Sequence, residues 1–137
     1  MKRQIMLVDD ESGMLDLVGL ILQRQGLSVL KVKDAYTALA LLESSNPDLF
    51  VLDVMMPGMN GIELCRRIRQ RPETVETPVV MLSARTDGQT RRDSLEAGAT
   101  LFLSKLTVQR ELAAIVRQLL GIGQEQSAGL SPSPGII

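Results

Sequence analysis

The chain has 137 residues, 45% of them hydrophobic and 23% charged, with a formal net charge of −1, which fits one soluble domain with a real core. That balance gives no general attraction to nucleic acid or to an anionic membrane, and no apolar run reaches the ~20 residues of a membrane helix. With no histidine and a single cysteine, Cys65, the chain excludes Ser-His-Asp and Cys-His catalysis, His-ligated zinc, a phosphohistidine of its own and an internal disulfide.

Short β-like runs alternate with helical patterns. "QIMLV" (4–8) is apolar throughout, as a strand buried on both faces would be. It gives way at once to "DDE", unlike a signal peptide, which points to a reducing cytoplasm. Residues 11–25 predict a helix with Met14, Val18, Ile21 and Leu22 on one face and Gly26 as its stop. "SVLKV" (28–32) is a half-polar strand suited to a sheet edge, and 34–45 is helical with Asp34 as N-cap. "DLFVLD" (48–53) is the third strand; a helix over 61–69 follows, with Ile62, Leu64, Cys65 and Ile68 at helical spacing. "PVVMLSA" (78–84) is the fourth strand, with Pro78 tolerable at its start.

The next helix, 86–97, closes at Gly98 and carries almost no apolar stripe apart from Leu95 and Ala97. It is expected to pack weakly and to present Arg85, Arg91 and Arg92 to a partner. "TLFLSK" (100–105) is the fifth strand, and 108–120 the last helix, with Leu112, Ile115, Val116 and Leu119 on one face. A folded domain is therefore expected over 1–120, with 121–137, rich in Gly, Ser and Pro, as a flexible tail or linker.

Strict strand–helix alternation with short connections predicts an α/β, doubly wound, flavodoxin-like fold: five parallel strands in order 2-1-3-4-5 with helices on both faces. In that fold ligands sit at the carboxyl ends of the strands. Those ends carry Asp9 and Asp10, Asp53, Ser83 and Lys105. Three carboxylates so close would repel one another and raise their own pKa values, which two cations can relieve. One is Lys105. The other is a hard, oxygen-ligated divalent ion, Mg²⁺ rather than a caged Ca²⁺, held by Asp10 and Asp53, by Asp9 partly through water, and by the Met55 carbonyl. A metal-bound carboxylate beside an amine and a hydroxyl is suited to accepting a phosphoryl group, with Asp53 as nucleophile, Lys105 neutralising charge and Ser83 donating a hydrogen bond. Pro57-Gly58 and Asn60-Gly61 would fold the next loop back over the pocket.

Each residue also has a plainer reading. Asp10 taken alone serves equally well as an N-cap, Ser83 as an ordinary strand-end serine, Lys105 as a surface ion pair and Phe102 as core.

"LVDDE", "LDVMMPGMNG", "VVMLSA" and "EAGATLFLSK" together closely resemble the receiver domain of two-component response regulators, of the chemotaxis-regulator type, over roughly residues 3–120. The resemblance implies a phospho-accepting Asp53, a Mg²⁺ pair at Asp9 and Asp10, a switch hydroxyl at Ser83, the lysine Lys105 and an aromatic switch position at Phe102. It also implies a regulatory domain that catalyses only its own phosphoryl transfer and dephosphorylation. Its partners would be a sensor histidine kinase or phosphotransfer protein and a downstream protein or missing output domain. A phosphorylation-dependent homodimer is compatible with it, and direct nucleic-acid binding is not expected. Phosphorylation would reshape the face made by the fourth helix, fifth strand and fifth helix.

One departure stands out. The family usually follows its lysine with a cis proline; here the residue is Leu106, for which a cis bond costs about 2.5–4 kcal/mol. The Lys105-Leu106 bond is therefore expected either trans, with a redirected loop from which Lys105 reaches the pocket imperfectly, or strained, and Thr107 is the only cap candidate for the last helix. That favours the runner-up function, a receiver-like docking module phosphorylated poorly or not at all. A Mg²⁺-dependent phosphatase is disfavoured because Val54-Met55 follow Asp53 where an acid/base would stand. A flavin carrier is disfavoured because acids occupy the phosphate-binding turn.

Overall fold

The computed structural model describes residues 2–123. The elements run β1 (Gln4–Val8), α1 (Ser12–Gln23), β2 (Ser28–Val32), α2 (Ala35–Leu41), β3 (Leu49–Asp53), α3 (Gly61–Arg69), β4 (Val79–Ser83), α4 (Gly88–Glu96), β5 (Leu101–Ser104) and α5 (Val108–Leu119). All strand pairs are parallel, in the order β2-β1-β3-β4-β5. The expected fold is the one found. The tail expected beyond the domain falls largely on 124–137, which lie outside the described residues.

The two faces of the sheet follow from the strand period of two. Along β3, Leu49 and Val51 pack with Leu15, Val18 and Leu22 of α1 and with Leu112 and Val116 of α5. Phe50 and Leu52 point the other way, to Ala38 of α2 and to Leu64, Cys65 and Ile68 of α3. Every residue of β3 and β4 is buried, so these continuous apolar runs are strands covered on both sides.

Three helices start on side-chain caps. Asp34, Asn60 and Asp87 accept hydrogen bonds from the amides of Thr37, Glu63 and Thr90 at 2.7, 2.9 and 2.9 Å. α2 is shorter than its periodic pattern, because the chain turns at Leu42 and runs through Ser44, Ser45 and Asn46 into Pro47, none of which favours continuing the helix.

Sequence reasoning missed Arg69. Its guanidinium donates to the carbonyls of Gly98 (2.9 Å), Thr74 (3.1 Å) and Thr77 (2.6 Å), tying the end of α3 to the loops that enter β4 and β5.

α4 has the sparse apolar face expected of it, and even that face is turned partly outward. Leu95, the one large apolar residue of its pattern, is 40% exposed, while Ser94 is fully buried. Ser94 tolerates this because its hydroxyl donates to the Thr90 carbonyl at 2.8 Å, so no polar group is left unsatisfied. The helix thus meets the sheet through a small side chain. Amide hydrogen exchange over 88–96 is expected to be faster than in the other four α-helices, as measured by mass spectrometry; protection equal to that of α3 would count against this.

Candidate functional site

β1 and β3 are adjacent strands, and both end at the same edge in acids. Asp9 follows the last residue of β1, and Asp53 is the last of β3; each is only 2% exposed. Asp10 is exposed beside them, and one carboxylate oxygen from each of the three lies within 4.8 Å of the others. Backbone amides orient the two buried acids. Asp9 Oδ1 accepts from the Glu11 N–H at 2.9 Å, and Asp53 Oδ1 from the Met55 N–H at 3.3 Å.

Lys105 closes the cluster. Its Nζ stands 3.1 Å from Asp9 Oδ2, 3.1 Å from Asp53 Oδ1 and 3.5 Å from Glu11 Oε1. Here the expectation from Leu106 is corrected. The described residues contain no cis peptide, so Lys105-Leu106 is trans, yet the amine reaches both buried carboxylates. The reason is local. A 3₁₀ turn, η1 (Lys105–Thr107), opens directly after β5, with the Ser104 hydroxyl accepting from the Leu106 N–H at 3.0 Å. Leu106 is thrown outward, 89% exposed, while Lys105 extends into the pocket. The capping expectation is corrected too. Thr107 makes no side-chain cap to α5; its hydroxyl lies between the Ser104 carbonyl (3.3 Å) and the Glu111 carboxylate (3.2 Å).

The electrostatics follow from this crowding. Burial, then the charge of Asp9, pushes the Asp53 carboxyl up to about 6, against the opposing pull of Lys105. For Lys105, burial acts to lower its pKa. The hydrogen bond to Asp9 and the charge of Asp53 outweigh it, so its pKa is raised. Apart from that burial effect, three clustered carboxylates beside a single ammonium leave negative charge that one lysine does not offset. The donors are oxygen only. That set fits a hard divalent cation such as Mg²⁺.

Ser83, at the end of β4, is buried, and its Oγ accepts from the Arg85 N–H at 2.9 Å, leaving the hydroxyl hydrogen available. It pairs in register with Ser104, the residue before Lys105. Phe102 pairs with Met81 and is buried beneath the Arg91 guanidinium, 5.8 Å from its ring centroid. Met55 is exposed at the pocket rim. The structure therefore gathers Asp9, Asp10, Asp53 and Lys105 into one cluster and sets Ser83 on the adjoining strand end, with Phe102 further down β5. Glu11 is a fourth acid that sequence reasoning missed. In the sequence it reads as the opening of a helix, and nothing in "DDES" shows that a lysine 94 residues away turns toward it.

The family model of the response regulator receiver domain matches residues 5–117. The chain is 40% identical to the alkaline phosphatase synthesis transcriptional regulatory protein SphR of Synechococcus elongatus, over 91% of this chain and 51% of that one. It thus spans about half the length of the curated relatives it matches. Among solved structures it resembles the chemotaxis response regulator CheY4 of Vibrio cholerae, with TM-score 0.81 and 27% identity over 87% of this chain and 99% of that one. It also resembles the receiver domain of the sensor histidine kinase PA1611 of Pseudomonas aeruginosa, which holds a magnesium ion in its active-site cleft, with TM-score 0.81 and 26% identity over 88% of this chain and 99% of that one. Sheet order, carboxyl-edge cluster and family match agree, and this chain belongs to the response regulator receiver domain family.

Proposed function

We propose that Asp53 accepts a phosphoryl group from a phosphohistidine on a sensor histidine kinase or phosphotransfer protein. A carboxylate oxygen of Asp53 forms the new P–O bond as the P–N bond to the donor imidazole breaks. The bonding pair stays on that nitrogen, which then takes up a proton. Asp9, Asp10, Asp53 and the Met55 carbonyl would hold Mg²⁺, which supplies charge neutralisation to the transferring oxygens. Lys105 binds a phosphoryl oxygen, and the Ser83 hydroxyl donates to another.

The observation that carries this reading is the Lys105 amine 3.1 Å from Asp53, in a pocket whose carboxylates exceed its cations. It also removes the sequence argument for a poorly phosphorylated docking module, which rested on a misplaced lysine. Output would run from Ser83 through the paired Ser104 to β5 and Phe102, and so to the face of α4, β5 and α5. That face would meet a second copy, a downstream protein or an output domain, on the cytoplasmic side where such kinases act.

Intact mass after incubation with acetyl phosphate and Mg²⁺ tests the proposal. A single phosphoryl adduct is expected, absent with a chelator and absent in Asp53→Asn. No adduct in the wild type, under conditions that modify another receiver, would overturn it.

A further inference from the structure

The three carboxylates around Lys105 are not equivalent. Asp9 and Asp53 belong to the three-acid cluster that suits a metal; Glu11 does not. Asp9 Oδ1 accepts the Glu11 amide and Oδ2 faces Lys105, so a metal on Asp9 would share a carboxylate that the ammonium already uses. At Asp53, Lys105 and the Met55 N–H share Oδ1, so a metal would take Oδ2 and repel the ammonium across the same carboxylate. Once both acids serve a cation, Lys105 keeps one contact outside the cluster, Glu11.

The local structure of Glu11 fits that role. It holds the N-cap position of α1 with extended backbone (φ −92°, ψ 120°), yet its side chain accepts nothing from the first turn. The cap residues of α2, α3 and α4 all do so. The Glu11 carboxylate is exposed and turned instead toward a lysine 94 residues away. An exposed ion pair adds little to the stability of a fold. What it sets is where the ammonium stands.

We infer that Glu11 is a positioning residue, keeping the Lys105 ammonium at the pocket when a metal occupies Asp9 and Asp53. This rests on the metal and phosphoacceptor reading above. Asp9 and Asp53 hold the lysine in the metal-free protein, and Glu11 retains it in the loaded one, ready to meet an incoming phosphoryl oxygen.

The test is nuclear magnetic resonance of the lysine side-chain ammonium groups in protein labelled with ¹⁵N at lysine. The chain has only four lysines, Lys2, Lys31, Lys33 and Lys105. A pinned ammonium exchanges its protons with water slowly and gives a signal that freely solvated ones lack. In the wild type the Lys105 signal is expected both without and with saturating Mg²⁺. In Glu11→Gln, which keeps the size and removes the charge, it should survive without Mg²⁺. It should be lost, or exchange several-fold faster, at Mg²⁺ saturation established by backbone amide shifts. Those same shifts report whether the fold is intact.

An equal Lys105 signal in Mg²⁺-loaded wild type and Glu11→Gln would overturn the inference, as would its loss from the loaded wild type. Phosphoryl adduct formation by the same wild-type sample separates the failures. If the adduct forms while the signals match, only Glu11's role falls; with neither an adduct nor a Mg²⁺ shift, the underlying reading falls with it.

Discussion

Gly61→Ala is expected to cost the domain about 3 kcal/mol or more and to displace the carboxylate at Asp53. The reason is backbone against backbone. A Cβ on Gly61 would stand 2.8 Å from the Asp53 carbonyl carbon and 3.1 Å from Val54 Cα, and would overlap the Asp53 carbonyl oxygen outright. No flexible side chain is there to give way. The close approach is fixed by the Gly61 N–H, which donates to the Val54 carbonyl at 3.0 Å and brings the start of α3 against the end of β3. Relief requires moving the helix or the strand end, and the strand end carries Asp53. Denaturant unfolding should show the midpoint shift, and the acetyl phosphate adduct should form more slowly than in the wild type at equal folded fraction. Gly13→Ala is the control. A Cβ there meets nothing within 4 Å, in a helix where alanine is favoured over glycine by about 1 kcal/mol, so no loss is expected. A cost below about 1 kcal/mol for Gly61→Ala would mean that the β3–α3 junction relaxes and does not fix the site.

That glycine shows what sequence reading can and cannot reach. "LDVMMPGMNG" was legible as a strand end, an acid and a turn, and Gly58 does adopt the positive φ (75°) that such a turn asks for. Gly61 reads in the sequence as part of the same turn chemistry. Its real constraint is the approach of two backbones, which leaves the same letter in the sequence. The strands were legible because burial on both faces forces continuous apolar runs, and the acids because a carboxylate ending such a run needs a reason. The sparse apolar face of α4 was legible, but which side chain it buries was not. Ser94, hydrogen-bonded within its own helix, is buried at little cost while Leu95 faces water. Arg69 was missed because its partners are carbonyls, which every residue has. The consequence of Leu106 was overdrawn: the family's proline was treated as what aims the lysine. Here Ser104, one residue earlier, sets the turn, and the charge of Asp9 and Asp53 draws the amine in.

Asp53→Asn is expected to stabilise the metal-free protein at neutral pH, by on the order of 2 kcal/mol or roughly 5–10 °C in Tm. The Asp53 carboxyl is pushed up to about 6 from an ordinary value of 3.8, chiefly by burial and then by Asp9. Between those two values the unfolded chain has released its proton while the native state still holds one. Stability therefore falls as pH rises through that window, and the contribution of this one group is gone above the folded value. The variant cannot ionise at this position, so its stability should lack that decline. The cost is limited, because Lys105 keeps Asp9 and Glu11 when it loses one charged partner. Added Mg²⁺ should reverse the order by stabilising the wild type more than the variant, since only the wild type offers all three carboxylates. Thermal melts from pH 4 to 8, with and without Mg²⁺, measure all of this. A metal-free wild type as stable at pH 7 as at pH 4.5, or a less stable Asp53→Asn, would show that Lys105 alone balances the cluster. If the decline appears, the burial and the repulsion that penalise the Asp53 charge in the metal-free protein are what a metal offsets on binding, so the same acids that weaken the fold supply the affinity of the site.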